Sequence, residues 1–227
     1  MNKIVLAFSG GLDTSFCVPY LVNKNFEVHT IFVNTGGIND SDERKITSKA
    51  LKLGAKNHIN VNVENKLWNK IVKPLIWSGS LYQNQYPILC SDRYLIVSEA
   101  VKLCKKLNTN YIAHGCTGMG NDQIRFDQAI KSFGSLEIIS PIRDIQKNIK
   151  DVREYEIKYL ENIGYKVPNL NKKYSINENL MGVTISGSEI DSFKQPTNES
   201  YILCAEPKKI RKRPKKITIE FLNGSPI

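Results

Sequence analysis

KIVLAF, Lys3 to Phe8, runs straight into SGGLDTS, Ser9 to Ser15, and the reading of this junction decides the fold of the 227-residue chain. The first six residues form a short, β-branched apolar run that stops at a glycine-bearing turn, as a strand buried on both faces should. The turn leads into a helix expected from Thr14 towards Val22, and the next apolar run, His29 to Val33, reads as a second strand. Strand, helix and strand in that order predict a right-handed crossover and a parallel sheet.

The same alternation carries on outward. Asp40 and Glu43 are spaced like a capping box at the start of a second helix, with Gly54 at its end. A third strand is expected from His58 to Val63, then a long helical stretch through Trp68 and Ile76, a loop at Tyr86-Pro87, and a helix from about Ser91 to Leu107. Asn110 to Gly115 and Leu136 to Ser140 supply the fourth and fifth strands, and Lys150 to Ile163 has helical apolar spacing closed by Gly164. The expectation is an α/β fold: a doubly wound, five-stranded parallel sheet of Rossmann-like type over residues 1–167. Past Pro168 the pattern changes to loop-rich sequence with two strand-like runs, SYILCA around Tyr201 and KITIEF around Ile219. Residues 168–227 therefore read as the beginning of a smaller α+β domain.

Composition narrows the class. With 41% hydrophobic and 24% charged residues the chain can bury a core, and no apolar run nears the roughly 18 residues of a membrane span. Cys17, Cys90, Cys104, Cys116 and Cys204 are scattered without a CxxC pair, which points to a reducing cytoplasm. Three histidines, none at ligand spacing from a cysteine, give no metal motif. The net charge of +10 hints at a polyanion, yet seven of the basic residues lie in KKIRKRPKK, Lys208 to Lys216, and without that run it falls to +3.

The chemistry starts in the first turn. Gly10 and Gly11 let backbone N–H groups approach an anion, the following helix adds its positive dipole end, and Ser9, Thr14 and Ser15 bring hydroxyl donors to the same concavity. It is a phosphate cradle without the lysine of a Walker A loop or the spacing of GxGxxG. Asp13 stands beside it, where a carboxylate helps hold Mg²⁺ on bound phosphates.

SGGLDTS in this position resembles the pyrophosphatase loop of the PP-loop ATP enzymes. HGCTGMGNDQIRF, His114 to Phe126, together with LKLGAK, Leu51 to Lys56, and YSINENL, Tyr174 to Leu180, resembles argininosuccinate synthase in order and spacing. The resemblance implies ATP and Mg²⁺ as cofactors and an AMP-forming carbon–nitrogen ligation in two steps. The ureido oxygen of citrulline attacks the α-phosphorus of ATP, giving a citrullyl adenylate and pyrophosphate, and the aspartate amine then displaces AMP. It further implies that Ala7, Phe8, Ser9, Gly10, Gly11, Leu12, Asp13, Thr14 and Ser15 hold ATP, with Val33 and Gly115 near the adenosine. Thr117, Asn121 and Asp122 would bind aspartate; Asn121, Arg125, Tyr86, Ser91, Ser175 and Thr184 would meet citrulline, with Asp13 and Asp122 nearest the chemistry. Cys116 reads as a small filler and His114 as a ring serving backbone groups at a strand end.

The chain departs from the family pattern at four places. Met119 replaces the lysine of TGKGND, Asn177 the aspartate of YSxDEN and Thr184 a serine, and Ser186-Gly187-Ser188 an acidic, glycine-rich stretch. Relatives also continue beyond the position of Ile227, so the resemblance implies either a complementing chain or self-association, or a different ureido or carboxyl acceptor. An RNA-modifying PP-loop protein and a non-catalytic ATP-binding subunit stay open as alternatives, although neither nucleic acid nor a membrane is the partner these motifs favour.

Overall fold

The structure is a computed structural model that describes residues 1–167, 174–187, 189, 192, 194–201, 203–210 and 213–227. Its chain divides into two compact units, Met1–Glu64 with Cys90–Pro168, and Asn65–Leu89 with Asn169–Ile227. The division differs from a single cut near residue 167, because Asn65–Leu89 belongs to the second unit.

The first unit is a five-stranded, all-parallel sheet. Its strands are β1 (Asn2–Ala7), β2 (Phe26–Asn34), β3 (Asn57–Asn62), β4 (Tyr111–Ala113) and β5 (Glu137–Ile139). Flanking them are α1 (Leu12–Asn23), α2 (Asp40–Lys52), α5 (Asp92–Leu107), α6 (Asp122–Ser132), α7 (Pro141–Gln146) and α8 (Val152–Asn162). The expected doubly wound, Rossmann-like architecture is present. Side chains of β1 alternate faces: Ile4 and Leu6, with Phe8 just past the strand's end, join a core with Phe16, Leu21, Ala50, Ile142 and Leu160 from α1, α2, α7 and α8, while α5 also packs on this strand. Burying an Ile or Leu as fully as Ile4 and Leu6 are buried contributes about 1.5–3 kcal/mol each.

Strand order β3-β2-β1-β4-β5 decides where ligands can enter. The chain builds outward from β1 to β3, then returns to the other side of β1 to lay down β4 and β5. Between β1 and β4 the winding reverses, and the carboxyl ends of strands at such a switch point frame a crevice. The turn after β1 is SGGLDTS and the residues after β4 are His114 and Gly115.

The second unit, by itself, contains a π-helical turn, Trp68–Val72, and α4 (Lys73–Ser78), reached through the single turn α3 (Glu64–Leu67). The expected helical stretch through Trp68 and Ile76 is continuous from α3 to the end of α4, and Pro74, which has no N–H to donate, follows directly on the π-helical turn. An antiparallel hairpin pairs β6 (Ser175–Asn179) with β7 (Gly182–Ser186), and two residues of β8 (Phe221–Leu222) pair with β9 (Ser225–Pro226).

Three local expectations need correction. The start of α2 is capped by Asn39, whose side chain accepts from Asp42 N–H at 3.0 Å, while Glu43 accepts from Asn34 at 2.8 Å instead of closing a box with Asp40. SYILCA is no strand in its described residues: Asn198–Ser200 forms a 3-10 turn and Leu203-Cys204 a bend, with Ile202 outside them. KITIEF is irregular up to Glu220, and only its Phe221 enters a strand. The Pro168 boundary and Ser188 lie outside the described residues.

Candidate functional site: a glycine turn at the sheet's switch point

Gly10 takes φ +75°, a left-handed conformation that costs glycine little, and this reverses the chain at the end of β1. Gly11 then sits at the N-cap of α1 with no side-chain cap bond, and Ser15 N–H donates to Gly11 O at 3.0 Å. The first-turn N–H groups of α1 have no acceptor within the helix, so an anion is their natural partner. Ser9 and Thr14 bring their hydroxyls within 3.2 Å of each other, and Gly11 N–H donates to Ser9 Oγ at 3.3 Å. Ser15 differs from its expected place beside them: it is buried and its Oγ has no partner.

Backbone is what Ala7 and Phe8 can offer. Phe8 is 2% exposed and its ring stands edge-on to His58 at 5.9 Å, while its N–H donates to Ile31 O at 2.8 Å. Val33 is buried near the end of β2. Gly115 approaches the turn so closely that a Cβ there would lie 2.9 Å from Thr14 Cγ2 and 3.2 Å from Thr14 N. The absent side chain is a condition of that contact.

Asp13 faces Glu156 of α8. Burial raises both carboxyls, and with Asp13 beside it Glu156 is pushed up to about 8, Arg153 pulling the other way. Glu156 is 2% exposed and its Oε1 has no partner. Two carboxyls so close hold a proton between them instead of carrying two charges. Among the described residues no three His, Cys, Asp or Glu side chains cluster as a metal site. The glycine turn thus fits a triphosphate, whereas Mg²⁺ would have to arrive with its phosphates.

The second half of the site hangs from His114. Cys116 N–H donates to His114 Nδ1 at 3.2 Å, so the ring hydrogen sits on Nε2 and donates to Asp127 Oδ1 at 2.9 Å. Arg143 of α7 donates to both oxygens of Asp127, at 2.7 and 3.3 Å. His114 and Arg143 together bring the Asp127 carboxyl down to about 2 despite partial burial. His114 therefore orders the strand end, as its sequence position implies. Burial pushes the Cys116 thiol up to about 12, which leaves it a filler and no nucleophile.

Beyond Cys116 the loop is tied on both sides. Gly118 N–H donates to Gln146 Oε1 at 2.6 Å, Gln123 donates to Gly118 O at 2.7 Å, and Thr117 Oγ1 donates to Met119 O at 3.0 Å. Asn121 precedes α6 as an exposed N-cap residue without a side-chain cap bond. Asp122 accepts from Arg125 at 2.7 Å and from Arg93 at 3.2 Å. Burial acts against the Asp122 carboxylate, but Arg93 and Arg125 more than offset it and its pKa falls. Arg93 also donates to Asp92 at 2.7 Å, and Thr35 donates to Asp92 at 3.3 Å. These bonds join the ends of β2, α5 and α6, directly after Ser91 at the N-cap of α5.

Thus Ser9–Thr14 meet Gly115, and Asp122 meets Arg125 on a frame that includes Thr117 and Asn121. Tyr86, Ser175 and Thr184 belong to the second unit. There Tyr86 bridges to Tyr82, with ring centroids 5.3 Å apart. Thr184 lies opposite Asn177 in the hairpin, on the same face as Ser175, so two of the departures from the family pattern are cross-strand neighbours. Arg93, Gln146, Arg143 and Glu156 went unread in the sequence, since nothing in their local spacing sets them apart from ordinary helix-surface residues.

A family model described as Arginosuccinate synthase N-terminal HUP domain matches residues 3–166. Over 226 residues, the whole chain is 49% identical to the argininosuccinate synthase of Xanthomonas campestris and covers 57% of that protein. It is 39% identical to that of Prochlorococcus marinus and 34% identical to that of Hyperthermus butylicus, covering 56% of each. The chain spans somewhat over half the length of these curated relatives.

Proposed function

The chain belongs to the argininosuccinate synthase family, with its N-terminal HUP domain at residues 3–166, and from that premise we propose that it is the nucleotide-binding portion of an AMP-forming carbon–nitrogen ligase. The observation that carries the reading is the glycine turn at the end of β1, pressed against Gly115 where the sheet's winding reverses. ATP, entering with Mg²⁺ on its phosphates, supplies the activated phosphorus that a ureido or carboxyl oxygen attacks.

Around it each residue has a task. The N–H groups of Gly10 to Asp13 and the dipole of α1 neutralise the phosphates, Ser9 and Thr14 donate hydroxyl hydrogens, and Ala7, Phe8, Val33 and Gly115 give the nucleoside a backbone wall. Ionised by Arg93 and Arg125, Asp122 accepts from the ammonium of aspartate, with Asn121 and Thr117 beside it. Arg125, Tyr86, Ser91, Ser175 and Thr184 are the proposed contacts of citrulline or another ureido or carboxyl acceptor. Little acid–base machinery is required if the site mainly orients reactants and stabilises the departing phosphate.

For the whole protein we further propose self-association or a complementing chain. Ile217, Ile219, Phe221 and Leu222 of the second unit are 57–75% exposed, an apolar strip of the kind that marks an interface. Among the described residues no helix is long and apolar enough to cross a membrane. A coupled pyrophosphate assay with ATP, Mg²⁺, citrulline and aspartate tests the activity. Release that needs the acceptor, and that turns over repeatedly only when aspartate is also present, is expected, and no release with any ureido or carboxyl acceptor would contradict it.

A further inference from the structure

Lys49 lies in the last turn of α2, and its Nζ reaches 39 residues back along the chain to donate to Gly10 O at 2.7 Å. Ile46, one turn earlier on that helix, sits 3.3 Å from where a Gly10 Cβ would be. The helix therefore meets Gly10 in two ways: Lys49 holds its oxygen, and Ile46 fills the side on which a Cβ would stand. A trans peptide is planar, and its C=O and following N–H point to opposite sides. With the Gly10 oxygen held towards Lys49, the Gly11 N–H is aimed away from α2, to the side where Ser9 Oγ accepts it and Thr14 Oγ1 gathers.

That orientation is not secured by the turn itself. A peptide between two glycines flips easily, because neither residue carries a Cβ to forbid positive φ. A flipped peptide would turn a carbonyl oxygen towards an incoming phosphate and remove a donor from the cradle. We propose that Lys49 is a positioning residue of the nucleotide loop, locking the Gly10–Gly11 peptide so that the Gly11 N–H faces the phosphate. The role in catalysis rests on the reading of this loop as an ATP site; the lock itself rests on the Lys49 and Ile46 contacts alone. It gives a purpose to a cation behind a loop that has no lysine of its own, and it makes α2 part of the nucleotide site.

The test uses the full chain with ¹⁵N-glycine labelling, as wild type, Lys49→Met and Lys49→Arg. In Lys49→Met the Gly10 and Gly11 amide signals are expected to shift or broaden while those of the distant Gly134 and Gly164 hold, and Lys49→Arg, which keeps a charged donor, should restore them. By calorimetry the ATP dissociation constant should rise about tenfold in Lys49→Met, the size of one lost charged hydrogen bond, and recover in the arginine variant. Unchanged Gly10 and Gly11 signals in Lys49→Met would overturn the lock whether or not ATP binds. Shifted signals with an unchanged ATP constant would overturn Lys49 as a positioning residue of the nucleotide site, and that result leaves the ATP reading intact. Absence of ATP binding by the wild type, with the glycine signals moving as expected, would overturn the ATP reading and support the lock.

Discussion

Gly115 and Glu156 show how single side chains, one absent and one buried, set the conditions of the nucleotide turn. Gly115→Ala would bring a methyl group within 2.9 Å of Thr14 Cγ2. Because backbone as well as side chain lies in its way, the substitution should cost about 1–3 kcal/mol, read by denaturant unfolding, and weaken ATP binding in a titration of the same variant. Glu156 makes a prediction about pH. Its folded carboxyl titrates at about 8 against an ordinary 4.5, so between those values the folded state holds a proton that the unfolded chain has released. The folded state binds more protons, and the stabilising contribution is lost as pH rises through that window. Glu156→Gln keeps an uncharged donor and cannot ionise. Denaturation midpoints should favour Glu156→Gln over wild type at about pH 8 and converge at about pH 5. A constant difference across that range would mean that Asp13 and Glu156 do not share a proton.

Among the elements, α7 has an influence beyond its six residues. It sends Arg143 to Asp127, the partner of His114, and Gln146 to Gly118, so both ends of the loop after β4 are referred to one short helix. Gln146→Ala should raise the KM for aspartate several-fold and leave the KM for ATP unchanged, because the glycine turn does not depend on it. For α2 the element's own stability is at issue. Asn39→Ala removes the cap at its start and should cost about 1 kcal/mol in thermal or denaturant unfolding.

These two helices also show what could be read from the sequence. The five strands and the helices between them were legible because hydrophobic period is a property of a segment by itself, and SGGLDTS was legible because a tight anion-binding turn demands glycine and small alcohols in order. The box at Asp40 and Glu43 misled because Glu43 is drawn to Asn34, a neighbour supplied by the end of β2. The β6–β7 hairpin escaped because its two-residue loop, Leu180-Met181, lacks the Asn-Gly type of signal. Lys49 and Gly10, 39 residues apart, become neighbours when α2 packs beside the first turn. Contacts of that kind exist in the fold and have no signature in local spacing.

At the scale of the whole molecule, the first unit gathers the nucleotide turn, Gly115 and the Asp122 frame on one edge of one sheet, while Tyr86, Ser175 and Thr184 belong to the second unit. The chain covers 57% of its Xanthomonas campestris relative, so nucleotide binding and the complete ligation are separable expectations. The exposed Ile217, Ile219, Phe221 and Leu222 predict a sedimenting species heavier than the 25.8 kDa chain, and a Phe221→Asp, Leu222→Asp double variant should return it to that mass. The most direct test of the central claim is calorimetric titration of the chain with ATP and Mg²⁺ and no amino acid present. The account predicts saturable one-site heat with a dissociation constant between about 1 µM and 1 mM, abolished by Gly115→Val in a variant that still melts cooperatively. No saturable heat at millimolar ATP, or binding unaffected by that substitution, would contradict it.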